Sequence, residues 1–120
     1  MSVRKQRHTP PLAAICLFAG LVPGALPTAR AEELPTFAVV ARDGRLSPER
    51  IEVPAGTRIK LTLKNEGRSP VEFENLDLRV EKVLAPGAGS FVVIHSLQPG
   101  SYRFVDEFHA ATATMLLIAK

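Results

Sequence analysis

Pro54-Ala55-Gly56-Thr57-Arg58-Ile59-Lys60-Leu61-Thr62-Leu63-Lys64-Asn65 is the stretch from which the rest of the chain can be read. Pro-Ala-Gly marks a turn, because proline presets one backbone angle and glycine tolerates the left-handed region. Behind it Ile59, Leu61 and Leu63 share one parity, while Arg58, Lys60, Thr62 and Lys64 share the other. A period of two places the apolar set on one face of a strand and the polar set on the opposite face. The stretch therefore predicts a half-buried strand in an antiparallel sheet, ending at Asn65.

The same reading extends in both directions. Phe37, Val39 and Ala41 predict a first strand, and Ile51 with Val53 a short second one. Val71 and Phe73 open a further strand, and the almost wholly apolar residues 91–94 read as a covered one. Tyr102 and Phe104 point one way against Ser101, Arg103 and Val105, and residues 115–119 close the domain. Asp43-Gly44, Glu66-Gly67, Pro86-Gly87 and Pro99-Gly100 supply turns between them. Strand punctuation without a helical period predicts an all-β fold, a Greek-key β-sandwich of about seven to eight strands.

The first 31 residues have a different character. Cations at Arg4, Lys5 and Arg7 precede an apolar run over residues 12–21, and Ala29-Arg30-Ala31 offers a small-residue cleavage site. That order is a secretory signal peptide over residues 1–31, with the domain at 32–120. Pro10, Pro11, Pro23 and Pro27 interrupt the stretch, which falls short of the ~20 apolar residues of a membrane span. Removing the leader takes four of the 15 cations and none of the 12 acids, which leaves 11 against 12. The high pI thus belongs to the leader, and a nucleic-acid footprint is excluded. Cys16, the only cysteine, also lies in the leader, so the remaining domain must fold on its apolar core without disulfides.

The order of a Pro-Ala-Gly-Thr turn, an alternating strand ending at Asn65, a Pro70 loop, Pro99-Gly100-Ser101-Tyr102-Arg103-Phe104 and then His109 resembles the cupredoxins. Within them the chain is similar to the EfeO-type cupredoxin-like proteins encoded with bacterial iron-permease systems. Glu72-Phe73-Glu74, Glu81-Lys82-Val83, Asp106-Glu107-Phe108-His109 and Thr112-Ala113 carry that resemblance, which covers residues 37–120. Thr114 stands where the family commonly has glycine. In the resemblance Val71 falls at the first histidine of a blue-copper site and Asp106 at its cysteine, so blue-copper electron transfer is not expected. Parity turns Asp106 inward with Tyr102 and Phe104, where a carboxylate needs a partner. Glu72 and Glu74 share a face, and the strand end after Asp106 can swing Glu107 and His109 toward the same mouth.

The resemblance thus implies a metal site drawn from Glu72, Glu74, Asp106, Glu107 and His109. Carboxylates with one imidazole form a harder donor set than a blue-copper site and suit iron, Mn(II) or Cu(II). His95 reads as an outer-face residue, Met115 as core, and Glu81-Lys82 as a surface ion pair. The expected function is a periplasmic, non-enzymatic accessory protein of an iron uptake system, binding iron or copper. Its expected partner is a membrane iron permease or a periplasmic metal-binding protein, with the domain itself a monomer or weak dimer. The alternative is a metal-free sandwich that docks to a membrane transporter. No nucleophile motif or acid-base pairing supports an enzyme. The leader reading has a direct check: N-terminal sequencing of the exported protein should begin at Glu32, and a membrane-bound chain still starting at Met1 would contradict it.

Overall fold

The computed structural model describes residues 11, 13, 19–24 and 33–120. Most of the expected leader, with its cleavage site and Cys16, lies outside the described residues. The chain divides into two units, Met1–Arg30 and Ala31–Lys120. Among the described residues no helix is long and apolar enough to cross a membrane.

The described residues of the second unit form nine strands: β1 (Thr36–Arg42), β2 (Arg45–Ser47), β3 (Arg50–Val53), β4 (Ile59–Asn65), β5 (Val71–Asn75), β6 (Val80–Leu84), β7 (Gly89–Ile94), β8 (Gly100–Asp106) and β9 (Thr114–Ala119). One 3-10 turn, Glu107–His109, sits between β8 and β9. The strands form a four-stranded sheet in the order β2-β1-β4-β7 and a five-stranded sheet in the order β3-β9-β8-β5-β6. The chain passes between the sheets after β2, β3, β4, β6 and β7, as a Greek-key sandwich requires.

Alternation explains the core. Ile59, Leu61 and Leu63 of β4 are buried, as are Val39 and Ala41 of β1, and they face Phe73, Phe104, Met115 and Leu117 of the other sheet. Phe73 of β5 and Phe104 of β8 stack at 4.9 Å between ring centroids. Asn65 ends β4 fully buried and satisfied: its amide donates to the carbonyls of Ser69 and Leu84, and its Oδ1 accepts from the Gly67 amide. A Cβ on Gly67 would come within 2.8 Å of the Asp43 side chain, so glycine is required where that loop closes. Asp43 and Gly44, both with positive φ, make the two-residue turn between β1 and β2.

Three details differ from the sequence reading. β4 is antiparallel only to β7 and runs parallel to β1, with Thr36 opposite Lys60 and Val40 opposite Lys64. Alternation reports one wet face and carries no information about strand direction. Residues 91–94 are covered on one face only: Ile94 is buried and Val92 packs on the core, but β7 is an edge strand and Phe91 is half exposed, with the Lys60 ammonium 4.5 Å above its ring. Two strands are not marked by the sequence pattern, β2 because it has three residues and β6 because Glu81-Lys82 interrupts its apolar pattern.

The packing fixes the response to truncation. Leu61→Ala removes a side chain with no solvent exposure, and should cost about 2 to 5 kcal/mol through lost burial and a residual cavity. Lys60→Ala should lose only the cation-π contact, roughly 0.5 to 1 kcal/mol. Equal urea midpoints for the two variants would contradict this arrangement.

Candidate metal centre

β5 and β6 form a hairpin in which Glu72 pairs with Val83, Phe73 with Lys82 and Glu74 with Glu81. Paired residues share a face, and Phe73 points into the core, so Glu72, Glu74 and Glu81 stand together on the outside of the five-stranded sheet. Their carboxylate oxygens lie within 4.8 Å of one another. Among the described residues this is the one group of three or more acidic or metal-ligating side chains so close together. Glu107, in the 3-10 turn beyond β8, lies against Glu74.

Like charges directly across a sheet repel, which raises the carboxyl pKa values of Glu72 and Glu74. The Glu81 carboxyl, hydrogen-bonded to Glu72, pushes the Glu72 pKa up, with burial and the charges of Glu81, Glu74 and Glu107 acting the same way. Burial raises Glu74 first, followed by its hydrogen bond to Glu107 and the charges of Glu107 and Glu81. Every charge acting on the two is negative.

Asp106 does something else. Its β8 position opposite Phe73 turns it inward, where it is 1% exposed. Oδ1 accepts from the backbone amides of Glu72 (3.0 Å) and Phe108 (3.1 Å), and Oδ2 lies 2.7 Å from Nδ1 of His109. Asp106 caps the 3-10 turn through Phe108, which carries His109 back over it. The His109 ring also lies against the β1–β2 turn, where a Cβ on Gly44 would sit 3.5 Å from Cδ2.

Of the five residues singled out in the sequence, the structure therefore gathers Glu72 and Glu74, with Glu107 beside Glu74, on the outer face. It pairs Asp106 with His109 separately, at the end of the sandwich. Glu81 belongs to the outer cluster, and no ion pair joins it to Lys82 among the described residues. Reading residues 80–84 as a strand folding back on β5 would have placed Glu81 opposite Glu74. His95 is exposed just beyond β7, and Met115, 1% exposed, is core.

A two-sheet Greek-key sandwich with ligand-type residues on the loop after its eighth strand defines a cupredoxin-like protein. The family model of the cupredoxin-like domain matches residues 12–119, and the chain belongs to that family. It is 32% identical over 80 residues to protein RP394 of Rickettsia prowazekii (strain Madrid E), a match that covers 67% of this chain and 64% of that relative's length. Its fold is similar to reduced auracyanin from Roseiflexus castenholzii (TM-score 0.60, 15% identity, 74% of this chain and 99% of that one). It is also similar to the metal-binding domain of the Cu(I)-exporting P-type ATPase CopA of Streptococcus pneumoniae D39 (TM-score 0.63, 10% identity, 71% and 84%).

The fold is thus related to that of copper-binding proteins, but the donors of a blue-copper centre do not fit this chain. No residue from 33 to 120 is a cysteine, and Val71, 3% exposed, is an apolar part of the core. A thiolate and a second imidazole are the donors that give such copper its character.

The raised carboxyls carry a sign for stability. A group whose folded pKa lies above its unfolded value contributes stability that is full below the unfolded pKa and is lost as pH rises through the folded one. The ionised cluster therefore opposes folding at neutral pH. Glu74→Gln should raise the urea midpoint at pH 7, and its advantage should shrink as pH falls toward the ordinary carboxyl value of 4.5. A midpoint at pH 7 equal to or below that of the wild type would contradict the repulsion.

Proposed function

We propose that this chain is an exported, non-enzymatic metal-binding module that serves an iron uptake system, its cation held by Glu72, Glu74 and Glu81 with Glu107 at the margin. The observation that carries the proposal is the convergence of three carboxylates within 4.8 Å, where burial and neighbouring negative groups raise the Glu72 and Glu74 pKa values. A bound cation removes that repulsion, so the free energy spent in assembling the cluster returns as affinity. Oxygen donors select hard cations, which here means iron or Mn(II), with Cu(II) accepted less well. The resemblance to proteins encoded with iron permeases supports delivery to a membrane permease or to a periplasmic metal-binding partner, by a monomer or weak dimer.

The alternative, a metal-free module docking to a membrane transporter, is favoured by the exposure of Val83 (60%), paired with Glu72, and of Phe108 (53%) in the adjoining turn. Calorimetric titration with Mn(II), Cu(II) and chelated iron separates the two. Wild type should bind at least one of them, with affinity falling as pH is lowered and protons compete for the carboxylates. Replacing an outer-shell partner of a metal costs about 10- to 100-fold in affinity. Loss of a direct ligand in Glu74→Gln or Glu81→Gln should therefore cost at least about tenfold, whereas His95→Ala should cost nothing. Absence of binding by the wild type, or binding by both glutamine variants equal to that of the wild type, would favour the docking module.

A further inference from the structure

We propose that the outer face of the four-stranded sheet docks on an anionic phospholipid surface, with Lys60, Lys64, Arg42 and Arg45 meeting the lipid phosphates while Phe91 enters the interface beside them. The proposal goes beyond the metal-binding reading and shares with it only the export of the chain. It uses the opposite face of the sandwich and requires no metal.

The register decides which side chains share that face. Leu61 and Leu63 of β4 are buried, so Lys60, Thr62 and Lys64 point outward, and the residues paired with them point outward too. Val40 of β1 lies opposite Lys64, while Phe91 and Val93 of β7 lie opposite Thr62 and Lys60. Arg42 and Arg45 pair across the β1–β2 turn on the same side, each next to a buried neighbour, Ala41 or Leu46. The four strands of this sheet contain no Asp or Glu. Glu66, just beyond β4, pairs with Arg42, and Glu33 borders the face at a recess lined by Lys60, Phe91 and Val93. Among the described residues no strand lies over this face, and Phe91 is 52% exposed.

The asymmetry of the domain turns this face toward negative charge. The outer face of the other sheet carries Glu52 with Glu72, Glu74 and Glu81. Those acids lie about 10 Å or more away through the sandwich, beyond the screening length of about 8 Å at physiological ionic strength. A surface that meets the lysine face therefore senses its cations and not the net charge of the domain. Charge alone would admit an acidic protein, but the arrangement favours a bilayer. Lys60 and Lys64 stand about 13 Å apart along β4, and the cations are spread over three strands around Val40, Phe91 and Val93 instead of converging on one point. A bilayer offers phosphate across its whole surface and hydrocarbon just beneath. The Lys60 ammonium lies 4.5 Å over the Phe91 ring, and a lysine can keep its charged head at the phosphates while the apolar group beside it goes deeper. The chain also enters the domain here, since Leu34 and Thr36 line the recess with Lys60 and Phe91. The leader expected to engage the membrane during export is thus joined to the domain at this face.

Cosedimentation of the exported protein with vesicles, in the absence of metal, tests this. The protein should bind vesicles of equimolar phosphatidylglycerol and phosphatidylcholine and ignore phosphatidylcholine alone. Binding should be lost as salt rises from about 0.15 M to about 1 M, which shortens the screening length from about 8 to about 3 Å. Lys60→Glu with Lys64→Glu should lower the vesicle affinity at least about tenfold, because each cation near an anionic surface adds to the attraction. Arg50→Glu with Arg103→Glu makes the same change of charge on the opposite face, where both arginines pair with Leu116, and should leave the affinity unchanged. Should the lysine variant not fold, acetylation of the wild type on vesicles decides: Lys60 and Lys64 should be protected, while Lys120, just beyond β9, should react as in solution. Failure to bind the anionic vesicles overturns the proposal, as does equal loss in the two double variants. Binding that survives the lysine reversal, as a retained leader would give, overturns it too. Self-association without vesicles that the lysine reversal abolishes also overturns it and makes the acidic face of a second copy the occupant. Absence of both kinds of binding leaves an acidic protein. The metal titration is independent of every one of these results, so the two readings fail separately.

Discussion

Asp106 is a carboxylate enclosed by a hydrophobic sandwich, and the geometry around it follows from its need for partners. An unpaired buried carboxylate costs several kcal/mol or neutralises instead, so the chain must bring donors to it. They come from three places: the Glu72 amide at the start of β5, the Phe108 amide of the 3-10 turn, and the His109 ring. Satisfying one side chain thereby sets how β5 meets β8 and how the loop from β8 to β9 folds back. Phe73 and Phe104 stack directly beneath this junction, so the apolar core and the polar end of the sandwich are built on the same two strands.

Much of this architecture is legible in the sequence because a period of two is a direct record of burial. The parity of Ile59, Leu61 and Leu63, or of Tyr102, Phe104 and Asp106, is set by which side of the sheet is wet, and the structure places Leu61, Phe104 and Asp106 inside accordingly. What periodicity cannot record is pairing. The parallel alignment of β1 with β4 is a contact between residues about as far apart in sequence as Thr36 and Lys60, and nothing local specifies it. Edge position is hidden in the same way: the composition of β7 is that of a covered strand, but it has a neighbour on one side only.

The candidate site divides along the same line. Glu72, Glu74 and the inward Asp106 follow from parity alone. Glu81 does not, because its membership depends on the register of a hairpin whose second strand is interrupted by Glu81-Lys82 and so shows no apolar pattern. The separation of Asp106 and His109 from the outer carboxylates was hidden for a further reason. A residue beyond a strand end has no face until the loop geometry is known, and here the Asp106 cap and the Gly44 turn fix it.

The exchange of donors at the end of the sandwich also changes what the frame can do. Where a thiolate would need a metal to complete its bonding, Asp106 completes its own with two amides and an imidazole, so the sandwich can close whether or not a cation is present. Val71 and Met115 reinforce this by filling their positions with apolar volume at 3% and 1% exposure. The outer cluster behaves oppositely, since Glu72, Glu74 and Glu81 complete one another only by sharing protons or a cation. Under the metal-binding proposal, a cation at that face leaves the bonding of Asp106 unchanged, so loading and release leave the sandwich closed. Reversible exchange of that kind is what the proposed delivery requires, whereas a metal that holds the fold together would resist being given up.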